Sequence, residues 1–336
     1  MAYDAPFARC SRRQLLTMVA SAVATGPLHA QLQAGSANRP VRVVVPFAPG
    51  GATDVIARVL GERMAQDFSQ PVLVENKTGA AGLLAGEAVV RSVPDGTTLL
   101  LGSTSSMLSN KYLYKKAAYD PLVDLKPLTR VCAASIVMVV HSAAPVRNMQ
   151  EFMAWIKERK SKFSYGSYGI GSQAQLVGAM LSDMAGADMV HVAYRGEAPM
   201  VQGMLTGEIQ VSTGSVLSIK PHIDSGKLRP LAVTGLLRMP LLPDMPTFEQ
   251  AGYQGDALNI GGWLGIAGPK DLPDATAKRW AEIINRAVAS RQVTARIIAA
   301  GFIPLNTDTP EGTARLWAQE GPVWQRMFQR AGIEPT

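Results

Sequence analysis

Residues 41 to 68 constrain this chain more than any other stretch. Val41-Arg42-Val43-Val44-Val45-Pro46-Phe47 is a short β-branched run with the length and composition of a strand buried on both faces. A Gly-rich turn, Ala48-Pro49-Gly50-Gly51-Ala52-Thr53, follows at once. From Asp54 to Phe68 the apolar residues Val55, Ile56, Val59, Leu60 and Met64 then recur at helical spacing, with Arg58, Glu62 and Arg63 between them. Thr53 or Asp54 can cap that helix. The pattern repeats, with Val72-Leu73-Val74 as a strand, Ala80 to Arg91 as a helix, and Thr97 to Leu101 as a buried strand ending in Gly102-Ser103-Thr104. This β-α-β-α-β order predicts a mainly parallel sheet with right-handed crossovers and helices on both faces.

A second series starts after Ala143-Ala144-Pro145. It reads as helix over Glu151 to Lys160, strand over Phe163 to Gly166, helix over Gln173 to Met184, strand over Met189 to Ala193 and helix over Pro199 to Leu205. Ile209-Gln210-Val211 leads to a loop, Leu228 to Thr234 is a strand, and Gly261 to Gly268 around Trp263 is a last extended segment. Helical periods fill Pro273 to Ala289, Gln292 to Ala300 and Pro310 to Ala331. At about 150 residues per domain, 336 residues suggest two domains. The simplest arrangement is two α/β lobes with the chain returning to the first. Apolar residues make up 47%, enough for a sizeable core, and the 31 Gly and 22 Pro are spread along the chain, which excludes collagen-like and low-complexity classes. The formal net charge of +7 comes without Lys/Arg runs, so no nucleic-acid partner is expected.

The N-terminus reads as an export signal over residues 1–30. Ser11-Arg12-Arg13-Gln14-Leu15-Leu16 opens an uncharged stretch through Ala24, and Leu28-His29-Ala30 can serve as a cleavage site. The paired arginines resemble a twin-arginine signal, although Leu15 stands where Phe is common. The apolar run is too short to span a bilayer, so a soluble, periplasmic mature protein is expected. With Cys10 inside the signal, Cys132 remains alone as a small buried residue, and no intrachain disulfide is expected. His141, His191 and His222 are scattered without metal-ligand spacing, and neither metal nor cofactor is expected.

Two Gly-rich loops, each between a strand and a helix, carry the chemistry. In the first, Pro46 to Asp54, Gly50 and Gly51 lack Cβ atoms, and the unpaired first-turn amides and helix dipole favour an anion. Gly51 is therefore expected to stay small. No G-K-[ST] follows, so this is not a Walker loop; taken alone, a tight turn without a ligand is the alternative. The second, Tyr165-Gly166-Ser167-Tyr168-Gly169-Ile170-Gly171-Ser172-Gln173, matches the loose G-x-G-x-x-[GA] pattern through Gly169, Gly171 and Ala174. It lacks the acidic residue about twenty positions on that grips a ribose. Together the loops suit a cleft that clamps a small acid from both sides and closes by hinge motion. Ser103 and Thr104, and Ser212, Thr213 and Gly214, stand at strand ends as candidates for the remaining wall.

Catalytic groupings are missing from the sequence: there is no G-x-S-x-G elbow and no H-E-x-x-H, and Asp54 and Glu197 suit helix starts. Arg195 can reach a ligand carboxylate or pair with a surface acid.

Taken in order, the motifs resemble a known family. Pro46-Phe47-x-Pro49-Gly50-Gly51-x-x-Asp54 with Ala57-Arg58, then Val74-Glu75-Asn76-Lys77-x-Gly79-Ala80-x-Gly82 and Asp95-Gly96-x-Thr98-Leu99-Leu100, begin the set. Tyr165-Gly166-Ser167-x-Gly169-x-Gly171-Ser172, Tyr194-Arg195-Gly196 with Ala198-Pro199, and Gly226-Lys227-Leu228-Arg229-x-Leu231-Ala232-Val233-Thr234 complete it. The chain from Arg39 onward resembles the Bug-type receptors of tripartite tricarboxylate transporters. The resemblance implies a two-lobed periplasmic binding protein of the Venus-flytrap type II class, α/β, each lobe a mainly parallel sheet flanked by helices. It implies lobe 1 over 40–141 and 262–336, lobe 2 over 142–261, no chemistry of its own, and a carboxylate handed to membrane carrier subunits. Carried over, the ligand-binding residues are Phe47, Gly50, Gly51, Ala52, Thr53 and Asp54 on one side and Gly169, Ile170, Gly171 and Ser172 on the other. Gln175 stands where the family commonly has His, which removes a titratable cation. Val211-Ser212-Thr213-Gly214 lacks the family's frequent aspartate, which favours a non-amino organic acid.

The leading expectation is thus a monomeric receptor for a small carboxylate, whether a di- or tricarboxylate or an aromatic acid. A ligand-loaded sensor for a membrane kinase needs the same cleft. A NAD-dependent oxidoreductase using Gly169-x-Gly171 is disfavoured by export.

Overall fold

The computed structural model describes residues 39–68, 70–159 and 163–335. The expected export signal, with Cys10, Arg12, Arg13 and His29, lies outside the described residues. Strand β1 (Val41–Val45) leads through the first Gly-rich loop into α1 (Ala52–Phe68), then β2 (Val72–Asn76), α2 (Leu83–Val90) and β3 (Thr98–Ser103). β1 lies between β2 and β3 in parallel, with Val43 opposite Val74 on one side and Leu99 on the other. A π-helical turn, Ser105–Ser109, and two short helices, α3 (Asn110–Leu113) and α4 (Pro121–Asp124), lead to β4 (Leu125–Ala134).

The chain then enters a second sheet. Its elements are β5 (Val137–His141), α5 (Met149–Arg159), β6 (Ser164–Ser167), α6 (Gln173–Ala185), β7 (Val190–Ala193), α7 (Glu197–Thr206), β8 (Val211–Gly214), α8 (Val216–Asp224) and β9 (Leu228–Val233). It returns through α9 (Asp256–Asn259) to β10 (Gly262–Pro269), α10 (Asp274–Ala289), α11 (Arg291–Ala299), β11 (Ile303–Pro304) and α12 (Pro310–Arg330).

The strand orders are β2-β1-β3-β10-β4-β11 and β7-β6-β8-β5-β9. The two-lobed α/β class is as expected, but both sheets are mixed rather than mainly parallel. β10 runs antiparallel to β3 and β4, and β5 runs antiparallel to β8 and β9. The reason is connectivity: a strand that brings the chain back from the other lobe must begin at the edge where the outgoing strands end, and so runs against them.

Two further departures concern the lobe limits. Val137–His141 pairs with β8 and β9, so the first crossing precedes it at Ser135-Ile136 instead of following it at residue 141. α12 serves both lobes. Its Trp317 stacks on Trp263 of β10, with ring centroids 5.7 Å apart, while Trp324, Met327 and Phe328 fill the second lobe's core against Val140, Phe152 and Phe163.

One face of the first sheet is covered by α1, α10 and α11 through Ile56, Leu60, Trp280 and Ile284. Cys132 lies in this core, and burial pushes its thiol pKa up. The two crossings run side by side. Thr234 N–H donates to the Ile136 carbonyl and Ile136 N–H to Thr234 Oγ1, both at 3.0 Å. Gly235, at φ +83°, allows this approach: a Cβ there would stand 3.1 Å from Ser135 Oγ and 3.3 Å from Gly261 Cα. Among the described residues no helix is long and apolar enough to cross a membrane.

Candidate functional site

The C-terminal ends of the parallel strands gather the Gly-rich loops of each lobe, the edge at which open α/β sheets bind ligands. In the first lobe the loop after β1 is held by Asp54, which is buried. Its Oδ2 accepts from Gly50 N–H at 2.9 Å and from Arg58 Nε at 3.0 Å, and its Oδ1 accepts from Asn76 Nδ2 at 2.9 Å. Asn76 Nδ2 also donates to the Phe47 carbonyl at 3.0 Å, tying the loop to the end of β2. Burial alone would raise the Asp54 pKa, but the hydrogen bonds from Arg58, Gly50 and Asn76 outweigh it and hold the carboxyl below its ordinary value. Both oxygens are thus committed to the loop, and Asp54 shapes the turn that it was expected to line as a ligand contact.

The peptide groups it organises point the other way. Gly50 takes φ +85°, and Gly51 accepts Val55 N–H at 3.0 Å, which makes Gly51 the N-cap of α1. The N–H groups of Gly51, Ala52, Thr53 and Asp54 have no acceptor among the described residues. The nearest atom to a Cβ on Gly51 would be the Ala48 carbonyl oxygen at 3.7 Å, so the protein itself leaves room there. Phe47 is half-buried against the first core.

The neighbouring loop after β2 was not foreseen as part of the site. Ala80 adopts φ +45°, strained for a residue with a Cβ, between Gly79 and Gly82, both at positive φ. A Cβ on Gly82 would stand 2.7 Å from Ser106 Cβ and 3.0 Å from Pro46 Cβ, so the loops after β1, β2 and β3 touch at this point.

Ser103 is half-buried, its Oγ 2.8 Å from Ser105 Oγ. Thr104 does not face the loops as expected. Its Oγ1 accepts from Trp263 N–H at 2.8 Å and donates to the Trp263 carbonyl at 3.3 Å, which fastens the returning chain. Trp263 Nε1 in turn donates to Glu320 at 2.9 Å. Burial raises the Glu320 pKa, opposed by that hydrogen bond and by Arg130.

In the second lobe Gly169 and Gly171 take positive φ, and Ile170 is exposed between them. Gly171 N–H donates to Gln175 Oε1 at 2.7 Å, and Ser172 caps α6 by accepting Gln175 N–H at 3.4 Å. Ser167 Oγ lies 2.8 Å from His191 Nε2 and donates to the Gly169 carbonyl at 3.0 Å. Tyr168, at a free position of the motif, is half-buried on this loop. Its carbonyl accepts from Gly196 N–H at 3.2 Å, which ties the second loop to the start of α7.

Thr213 is buried at the end of β8. Gly214 packs inward, since a Cβ there would meet Ile219 Cδ1 at 3.0 Å and Met200 Cε at 3.1 Å, and it does not line the wall as expected. The missing negative charge of this segment is supplied by another element, as Glu197 Oε1 lies 3.5 Å from that Cβ position. Ser212 is likewise turned inward, donating to the Gly166 carbonyl at 3.1 Å. Arg195 is exposed, with no ion pair among the described residues. A cavity of about 110 Å³ between α6 and α12, lined by Met180, Asp183, Gly255, Met327 and Arg330, includes none of the loop residues.

These features define a two-lobed α/β binding protein with an anion-suited loop. The profile of the family described as "tripartite tricarboxylate transporter family receptor" (TctC) matches residues 56–333. The solved periplasmic binding protein BugD is 32% identical, with a TM-score of 0.76, covering 89% of this chain and 99% of its own. MatC from Rhodopseudomonas palustris, solved with bound malate, is 27% identical with a TM-score of 0.74 over 86% of this chain and 98% of its own. Rpa4515 of R. palustris, solved with adipate, is 27% identical with a TM-score of 0.77 over 89% and 99%. The chain belongs to the TctC receptor family, a family of solute-binding receptors and not an enzyme class.

Proposed function

We propose that this protein is a periplasmic receptor that takes a small organic carboxylate between its lobes and delivers it to the membrane carrier subunits of a tripartite transporter. The observation that carries the reading is the run of four acceptor-free amides, Gly51 to Asp54, at the start of a seventeen-residue helix, with Asp54 neutralised by Arg58 behind them. A carboxylate placed there satisfies donors that the helix cannot satisfy itself and meets the positive end of its dipole. Malate and adipate in the related structures support the ligand class, and BugD supports the compartment. The paired crossings at Ser135-Ile136 and Gly235/Gly261 are the hinge about which the lobes close. The Gly169-x-Gly171 loop is poorly suited to a dinucleotide, because Gln175 already accepts the Gly171 amide that a pyrophosphate would use.

The test is a thermal-shift screen of the purified protein against mono-, di- and tricarboxylates, aromatic acids, amino acids and NAD. Binding to the folded state adds about 2.7 kcal/mol of apparent stability at a hundredfold excess over Kd. A clear shift with a carboxylate and none with NAD is expected. A shift with NAD alone would overturn the reading.

A further inference from the structure

α12 is a single helix whose two halves are fixed in different lobes. In its first half Glu311 pairs with Lys278 of α10 at 3.1 Å, Trp317 is buried against Trp263 of β10, and Glu320 Oε2 accepts from Trp263 Nε1 at 2.9 Å. In its second half Trp324, Met327 and Phe328 are buried in the other lobe's core, and Arg326 pairs with Asp256 of α9 at 3.4 Å. The change of lobe falls within one helical turn, between Glu320 and Trp324.

Gly321-Pro322 occupies that turn. Gly321 is buried where the two cores meet. A Cβ on it would stand 3.1 Å from Tyr112 Oη, of a residue packed on the second lobe's core, and 3.2 Å from Leu122 Cδ1, of a residue packed on the first. Pro322 lies on the exposed face and has no N–H, so the carbonyl of Ala318, itself exposed, loses the donor that a helix interior supplies. Packing does not require the proline, because its ring meets solvent, and proline is the most costly residue for a helix interior. Its effect is to remove one rung of the helical ladder where the helix changes lobe, on the side where water can meet the freed carbonyl.

Rotation of the lobes about the crossings at Ser135-Ile136 and Gly235/Gly261 moves Trp317 with one core and Trp324 with the other. Side chains of this size, 3% and 1% exposed, are held by close packing and do not slide over their neighbours. The helix between them has to bend, and it bends most easily where a rung is missing. Resting on the reading of this protein as a receptor that closes on a carboxylate, we propose that Gly321-Pro322 is a joint in α12 and a third part of the hinge. The C-terminal helix then flexes with each closure instead of holding the lobes at a fixed angle. Without the joint, closure strains a continuous helix, the closed state is less populated, and apparent affinity falls by that fraction.

α8 supplies the control, since it holds Pro221 in its interior, also exposed, and begins and ends in the second lobe. Pro322→Ala and Pro221→Ala thus make the same repair in a helix that changes lobe and in one that does not. Small-angle X-ray scattering of the full chain, free and saturated with malate or adipate, measures contraction, and calorimetric titration with the same acid measures Kd. Where neither of these binds, the acid with the largest shift in the thermal screen is the probe. Both variants are expected to melt no lower than the parent. Pro322→Ala is expected to contract less than about half as much as the parent and to bind about threefold or more weakly, while Pro221→Ala matches the parent in both. A Pro322→Ala protein that contracts and binds like the parent would overturn the joint, as would equal losses in Pro221→Ala. A parent that binds acid without contracting would overturn the hinge role and leave the carboxylate reading intact. No response to any acid in the screen would remove the receptor reading and the inference with it.

Discussion

Gly51→Asp separates the stability of the first loop from its function. Gly51 is the N-cap of α1, its carbonyl accepting Val55 N–H at 3.0 Å, and a Cβ there meets nothing closer than 3.7 Å. Aspartate is among the best N-cap residues, better than Gly by a few tenths of a kcal/mol, and a negative charge on the first turn adds about 0.3 to 1 kcal/mol. The unliganded variant is therefore expected to melt about 1 to 2 °C higher than the parent. Binding should move the other way. The introduced carboxylate takes the same amides and stands about 4 Å from the ligand's, where like charges repel by about 1 kcal/mol in water and about 4 kcal/mol at an effective dielectric of 20. A cleft closing over an exposed loop lies between these limits, so about 2 to 3 kcal/mol, or about thirty- to hundredfold in Kd, should be lost. Gly51→Ala adds the Cβ without the charge and should bind like the parent. Scanning calorimetry and titration with the carboxylate found in the screen measure both quantities. A Gly51→Asp protein that melts higher yet binds within about twofold of the parent would refute the placement of the anion on α1.

Three further outcomes follow from the same geometry. The depressed pKa of Asp54 means that its network contributes stability above the unfolded carboxyl pKa of about 3.9, lost as pH falls through the lower folded value. Asp54→Asn should therefore lower Tm near neutral pH and converge on the parent in acid, as Tm scans against pH will show. Glu320 has the opposite sign: its raised pKa penalises the folded state above that pKa, and the penalty is absent below the unfolded value. Glu320→Gln keeps an acceptor for Trp263 Nε1 and should leave Tm unchanged or higher at pH 8, with a flatter profile toward acid. Gly171→Ala forces a side chain into φ +73° and places its Cβ 2.5 Å from Leu113, so denaturant titration should show a loss of about 1 to 3 kcal/mol. Leu113→Ala in that background should return part of it, and strict additivity would discount the contact.

Much of the fold was legible where local signals agree. The β1-loop-α1 unit, α5, α6 and α7 of the second lobe and the last extended segment follow from apolar periodicity and Gly-rich turns, whereas α8 was read as loop. β4 and β5 were not read as strands. Pro127 sits inside β4, opposite Ala267, and the alternating Lys126 and Arg130 suit an edge more than a strand with neighbours on both sides. The mixed pairing and the sharing of α12 were equally hidden, because they depend on where the chain crosses between lobes. In the site, residue types exposed the loops but not the direction of their polar groups. Thr104 and Gly214 stood at the right strand ends and turned inward to Trp263 and to the Met200 core. Ala80 stands in a quoted motif, but an alanine gives no sign of the positive φ it adopts. Glu197 acts across elements, from the start of α7 onto α8, which spacing along one chain cannot show.

The two loops share one pattern, a Gly-rich turn opening a helix, and differ in what stands four residues on. Asp54 follows Gly50 and accepts its N–H; Gln175 follows Gly171 and accepts its N–H, at 2.9 and 2.7 Å. The same brace has different electrostatic results. The Asp54 charge is paired with the Arg58 guanidinium and further hydrogen-bonded by Asn76, so the first loop keeps its affinity for an anion. Gln175 brings no charge to cancel, while Glu197 of the same lobe is spent on α8.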